Sequence, residues 1–129
     1  MLGAAKTIGF IPSKDRERSE TFYRDVLGLR LLKSDAFASV FEAGGRALRI
    51  SDISSVSGFE PYPFTIFGWE VEAMQPVVEA LSKAGVTFER YDWIDQDELG
   101  IWTTPNGNEV AWFRDPDANI LSLSTHPTS

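Results

Sequence analysis

The chain has 129 residues, 43% of them hydrophobic and 12% aromatic, with 12 basic against 19 acidic side chains for a formal charge of −7. That length fits one domain or two small repeats, and the apolar content suffices for a buried core, which excludes disorder as the dominant state. The acidic balance argues against a nucleic-acid partner, which needs clustered Lys and Arg, and the absence of cysteine excludes disulfides, thiolate nucleophiles and Cys-ligated metals.

Residues 1–6 lack the basic start and apolar run of a secretory signal, and no apolar run reaches membrane-spanning length, so the chain reads as soluble and cytoplasmic with no membrane partner. The β-branched and aromatic run 7–11 reads as a strand that stops at Pro12. Ser13 or Asp15 then caps a helix to about Leu27, with Phe22, Val26 and Leu27 as its buried stripe, Tyr23 at the margin and Gly28 as the stop, and truncating Glu20 is expected to cost little. Extended runs follow at 29–33, 37–42 and 46–51, the last two joined by Gly44-Gly45. Residues 52–63 are rich in Ser, Gly and Pro and read as a surface connection.

The second half opens with a strand over 64–71, whose alternate residues Phe67, Trp69 and Val71 make one apolar side. A helix over about 74–84 tolerates Pro76 in its first turn, carries Val77, Val78, Leu81 and Ala84 as its stripe, and ends at Gly85. Runs 86–91, 100–104, 109–114 and 120–125 are strand-like, with Asn106-Gly107 as a hairpin turn. The two halves repeat a β-α-β-β-β unit. Ile8 corresponds to Ile66, an offset of 58, and Leu48-Arg49-Ile50-Ser51 to Leu121-Ser122-Leu123-Ser124, an offset of 73, so the second copy carries about fifteen extra residues, mostly the acidic stretch 92–99. The organisation expected is one domain over 1–129: a first module at about 7–51, a connection at 52–63 and a second module at about 64–125. Repeats of this kind pack together and leave a concave groove.

Two motifs carry a resemblance. Phe22-Tyr23-Arg24-Asp25-Val26-Leu27-Gly28-Leu29 resembles the FY-x-x-x-LG helix signature of the vicinal-oxygen-chelate superfamily, and Asp115-Pro116-Asp117-Ala118-Asn119 resembles its DPDGN turn. That superfamily includes glyoxalase I, extradiol dioxygenases and bleomycin-resistance proteins, and the first half looks closest to the bleomycin-resistance branch. The resemblance implies an α+β fold: two tandem β-α-β-β-β modules forming a cupped mixed sheet around one groove, commonly in a homodimer. In metalloenzyme members four inward positions hold a divalent metal. Mapped here they fall on Thr7 or Ile8, Arg49, Ile66 and Ser122. None of these supplies imidazole or carboxylate, so neither metal nor any other cofactor is expected.

The function expected is metal-free binding of a small organic molecule, an antibiotic or an aromatic metabolite. The alternative is a metal-dependent lyase, isomerase or dioxygenase with ligands relocated to Glu70, Glu109, Asp92 or His126. If Arg49, Ile66 and Ser122 face the groove, as the resemblance implies, strand alternation puts Gly68 and Glu70 there too. Trp112 is favoured as the inward ring of its strand because Phe113 matches Phe41 of the first repeat, and Trp102 and Phe10 are further candidate rings. Arg49 with an aromatic wall would suit a ligand bearing a ring and an anionic group. The acidic run 92–98 reads either as a lure for cations at the groove mouth or as a solvated loop. Ser122 and His126 lie on one strand face but about 13 Å apart by strand rise, too far for a Ser–His relay.

Overall fold

The computed structural model describes residues 1–126. It divides into two compact units, Met1–Glu60 and Pro61–Ser129, each built on a four-stranded mixed sheet. In the first unit, β1 (Ile8–Ser13) leads into helix α1 (Arg16–Thr21), which widens into a π turn over Phe22–Val26, and then into β2 (Arg30–Ser34), β3 (Ala38–Ala43) and β4 (Arg46–Asp52). The sheet order is β1-β4-β3-β2, with β1 parallel to β4 and the other pairs antiparallel. Asp15 caps α1 by accepting from the Arg18 N–H. Gly44 and Gly45 both take positive φ (58° and 79°), as a tight hairpin twisted to match its strands requires.

The helix stripe differs from the sequence expectation. Tyr23, not Phe22, is fully buried; its ring packs on Phe41 at 6.1 Å, while Phe22, Val26 and Leu27 are half-buried. The cause lies one turn earlier. Ser19 is fully buried and its Oγ is 2.7 Å from that of buried Ser13, so a small polar residue brings the helix close to the sheet and sets the phase four residues before Tyr23. The π turn, in which the Leu27 N–H reaches the Phe22 carbonyl five residues back, accommodates the rest. Nor is Glu20 idle. It accepts from the hydroxyls of buried Ser39 at 2.5 Å and of Ser34 at 2.9 Å, and these bonds, with Arg16 and Arg24 nearby, hold its carboxyl below the usual range against the opposing effect of burial.

The second unit contains β5 (Thr65–Glu70), α2 (Met74–Lys83), β6 (Trp102–Thr103), β7 (Glu109–Arg114) and β8 (Ile120–Ser124). Its sheet order is β5-β8-β7-β6, with β5 parallel to β8. Met74 and Val78 of α2 are buried with Ala111, Phe113, Leu121 and Leu123, each large apolar side chain removed from water contributing about 1.5–3 kcal/mol. Val77 and Leu81 are half-buried and Ala84 is exposed, so the stripe is narrower than the sequence pattern suggests.

Residues 86–91 form no strand. Phe88 makes a single bridge to Phe113, and the Glu89 N–H bonds to the Trp112 carbonyl at 2.8 Å. The remaining ladder groups are taken by a side chain: Gln96 accepts from the Tyr91 N–H at 2.8 Å and donates to the Glu89 carbonyl at 2.9 Å. The turn at 115–119 is tied by Asp115, whose Oδ1 accepts from the N–H groups of Asp117 and Asn119, both at 2.9 Å. Among the described residues, no helix is long and apolar enough to cross a membrane.

Candidate functional site

Register fixes which side chains share a face. In the first sheet, Ile11, Leu48, Ile50 and Phe41 are buried on the side of α1. Alternation therefore sends Phe10, Arg49 and Val40 to the far face, where Phe10 and Val40 flank Arg49 on adjacent strands. Phe10 is 61% exposed and Arg49 half-buried.

In the second sheet, Trp69 stacks on buried Phe113, so this parity belongs to α2. Gly68, Ser122 and Trp112 form a row across the far face, and Glu70, Ser124, Val110 and Trp102 form the next. Ile66 sits at the β5 irregularity between Thr65 and Phe67. Gly68 is demanded by close approach: a Cβ there would lie 2.9 Å from the Ser122 carbonyl oxygen and closer still to its Oγ, so any side chain would part β5 from β8.

Trp112 is the hub of an aromatic cluster. Trp102 stacks on it at 6.1 Å and 24°, Tyr91 meets it edge-on at 5.4 Å and 80°, and Trp93 lies 5.6 Å from Tyr91. Beside these rings is a cleft of about 260 Å³ lined by Pro63, Phe64, Thr65, Tyr91, Trp93, Trp112 and Ile120. Of the residues the sequence nominates, only Trp112 lines this cleft. Trp102 backs it, Ser122 adjoins Trp112 in register, and Glu70 lies one row away. Arg49 and Phe10 belong to the first unit's sheet.

Phe64, Tyr91 and Trp93 escape the sequence reading because each lies outside regular alternation. Trp93 is carried by the extra segment of the second repeat and Tyr91 immediately precedes it, and side-chain hydrogen bonds brace that segment. Besides its two bonds to residues 89 and 91, Gln96 donates to the Gly100 carbonyl at 2.9 Å. Asp97 Oδ1 accepts from the N–H groups of Leu99 and Ile101, both at 2.9 Å, and Arg90 donates to the carbonyls of Asp97 and Glu98. The acidic run is thus a braced loop rather than a merely solvated one. Burial, and then the Glu89 charge, push the Tyr91 phenol above its usual range, so its hydroxyl stays neutral at ordinary pH.

The same geometry tests for a metal. Ile8 and Ile66 have no lone pair, Arg49 is a cation, and Ser122 supplies only a neutral hydroxyl. Glu70 is the single carboxylate in the two central rows of the second sheet's far face. Of the alternative ligands, Glu70 and His126 border a second cleft of about 300 Å³ with Glu72, and His126 Nε2 is 2.9 Å from Ser124 Oγ. Even so, among the described residues no three His, Asp or Glu side chains converge as a metal site. The donor set does not fit a divalent ion.

Comparison with known proteins accounts for this architecture. Residues 6–123 match the Glyoxalase/Bleomycin resistance protein/Dioxygenase superfamily. The chain belongs to that superfamily. Among solved structures, this superfamily member is similar to lactoylglutathione lyase from Agrobacterium tumefaciens (21% identity, 95% of this chain and 93% of that one, TM-score 0.71). It is also similar to a superfamily member from Sphaerobacter thermophilus DSM 20745 (18%, 98% and 100%, TM-score 0.74). A third similar structure is the genomically encoded fosfomycin resistance protein FosX from Listeria monocytogenes (13%, 97% and 95%, TM-score 0.74). At these identities the likeness is one of fold. No functionally curated protein matches the sequence.

Proposed function

We propose that this superfamily member binds a small organic molecule reversibly, without a metal, at the aromatic cleft of its second unit. The observation that carries the reading is the convergence of Phe64, Tyr91, Trp93 and Trp112 on one cleft. Two of these rings stand on a loop braced by Gln96 and Asp97. Ligand sites are concave and mostly apolar with a few placed polar groups, and a braced loop lowers the ordering cost of binding. Similar folds include a fosfomycin resistance protein and a lactoylglutathione lyase, so the scaffold is compatible with either sequestration or turnover. The misfit of the donor set favours sequestration, of an antibiotic or an aromatic metabolite.

Because Trp93 and Trp112 line the cleft, a bound ring changes tryptophan emission. Titration of the purified protein with a library of small aromatic compounds should give saturable changes for some members. In Trp112→Leu these hits should lose about fivefold or more in affinity, since base-like stacking on one ring is worth about 1–3 kcal/mol. Hits that bind the variant unchanged would move the site elsewhere, and metal-dependent turnover of a hit would promote the enzyme alternative.

A further inference from the structure

The cleft is unusual in what its lining lacks. Phe64, Tyr91, Trp93 and Trp112 line it with Pro63, Thr65 and Ile120, and among the described residues no Lys, Arg, Asp or Glu takes part. A ligand in it meets ring faces and edges, not a partner charge. The Tyr91 ring stands at 80° to Trp112 and is tilted 33° from Trp93, so the faces do not form the two parallel walls that would clamp a flat ring system. They form an angled enclosure instead. At about 260 Å³ it lies just under the roughly 300 Å³ at which drug-sized sites begin, which suits a compact head group.

Charge around the cleft selects among compact groups. Residues 89–98 carry five acidic side chains (Glu89, Asp92, Asp95, Asp97, Glu98) against one basic, Arg90, and the whole chain is at −7. The nearby cations are already engaged: Arg90 on the Asp97 and Glu98 carbonyls, and Arg114 on Glu89 at 2.7 Å. Asp92 lies between Tyr91 and Trp93 in the chain and is exposed. Ring faces are the negative pole of the aromatic quadrupole and attract cations, tryptophan most strongly, and a negative surrounding field raises the local concentration of positive ligands.

We infer that the cleft formed by Phe64, Tyr91, Trp93 and Trp112 is an aromatic cage for a small organic cation of the quaternary or alkylated ammonium kind. The inference rests on the reading that this cleft binds small molecules, and it reverses the sign of ligand charge suggested by Arg49. Arg49 belongs to the first unit's sheet, and the cleft is built from residues of the second. A weakly hydrated alkylammonium sheds its water cheaply and needs no countercharge from the wall, which suits a lining whose polar groups, such as the Thr65 and Tyr91 hydroxyls, are neutral. A carboxylate or phosphate would meet the same ring faces with repulsion.

A charge-matched series tests this on the full chain. Choline and its neutral isostere 3,3-dimethyl-1-butanol differ only in the central atom and its charge, and benzyltrimethylammonium and 3-phenylpropionate set a cationic aromatic against an anionic one. Calorimetric and tryptophan-emission titrations at low salt should show both cations binding at least about tenfold more tightly than their partners. Trp93→Leu should abolish most of that preference. Trp93 is 74% exposed, so this variant keeps its fold, as an unchanged melting temperature would confirm. Asp92→Asn should weaken both cations several-fold and flatten their salt dependence. Equal binding of choline and its isostere, or preference for 3-phenylpropionate, overturns the cation assignment while leaving the aromatic binding site standing. Hits from the aromatic library that bind elsewhere, together with silence from both cations up to millimolar concentration, would remove both.

Discussion

At the scale of single residues, two side chains report on local energetics. Ala118 holds φ at +67°, in the turn where the family motif has glycine. A left-handed alanine costs roughly 1–2 kcal/mol, and glycine gives back about 0.4–1 kcal/mol of that in unfolded-chain entropy. Ala118→Gly should therefore raise stability by up to about 1 kcal/mol in chemical denaturation, and a loss of stability would show that the Ala118 methyl packs usefully. Glu20 reports on pH. Its carboxyl is held low chiefly by the Ser39 hydroxyl, so its stabilising effect is present above the ordinary glutamate value of about 4.3. It fades as pH falls through the lower folded-state value. Glu20→Gln should be less stable than the wild type near neutrality and should lose less on acidification. Parallel melting curves against pH for the two proteins would show that the Glu20 bonds are energetically idle.

At the scale of elements, legibility followed local pattern. Strands β3, β4, β7 and β8 and helix α2 lie within one or two residues of where the extended runs and helical spacing place them, because each is a local apolar run bounded by turn residues. Alternation likewise separates Trp112 from Phe113 and Trp69. What one sequence does not reveal is any element fixed by a polar or distant partner. The phase of α1 is set by Ser19 against Ser13, which hydrophobicity patterns ignore, and residues 86–91 are kept out of the sheet by the Gln96 side chain. The candidate site suffers most from this, since Phe64, Tyr91 and Trp93 converge only through a braced loop. Gln96→Ala should release the carbonyls of Glu89 and Gly100 and the Tyr91 N–H. Because the loop is at the surface, the cost to global stability should stay near the 1–3 kcal/mol of a lost side-chain staple, whereas cleft affinity should fall further through disorder of Tyr91 and Trp93. Faster hydrogen exchange confined to about residues 89–101 is the expected signature, and unchanged exchange there would mean that Asp97 and Arg90 suffice.

For the molecule as a whole, the repeat gives two units the same sheet order and the same parallel pairing of first and last strands, so equivalent positions can be compared across them. Arg49 and Ser122 are the clearest pair: each lies on the last strand of its unit, on the face away from the helix. In metalloenzymes of the superfamily such positions carry ligands; here one is a cation and the other a neutral hydroxyl. Neither these two residues nor Ile8 and Ile66 supply the imidazole or carboxylate that a divalent ion needs. The protein should therefore be purified without stoichiometric zinc, nickel, manganese or iron by elemental analysis. Its melting temperature should be unmoved by a chelator or by added metal, since only a species that binds the folded state shifts that equilibrium. One tightly held ion per chain, with a chelator lowering the melting temperature, would overturn this, point to relocated ligands such as Glu70 and His126, and give the enzyme alternative the lead.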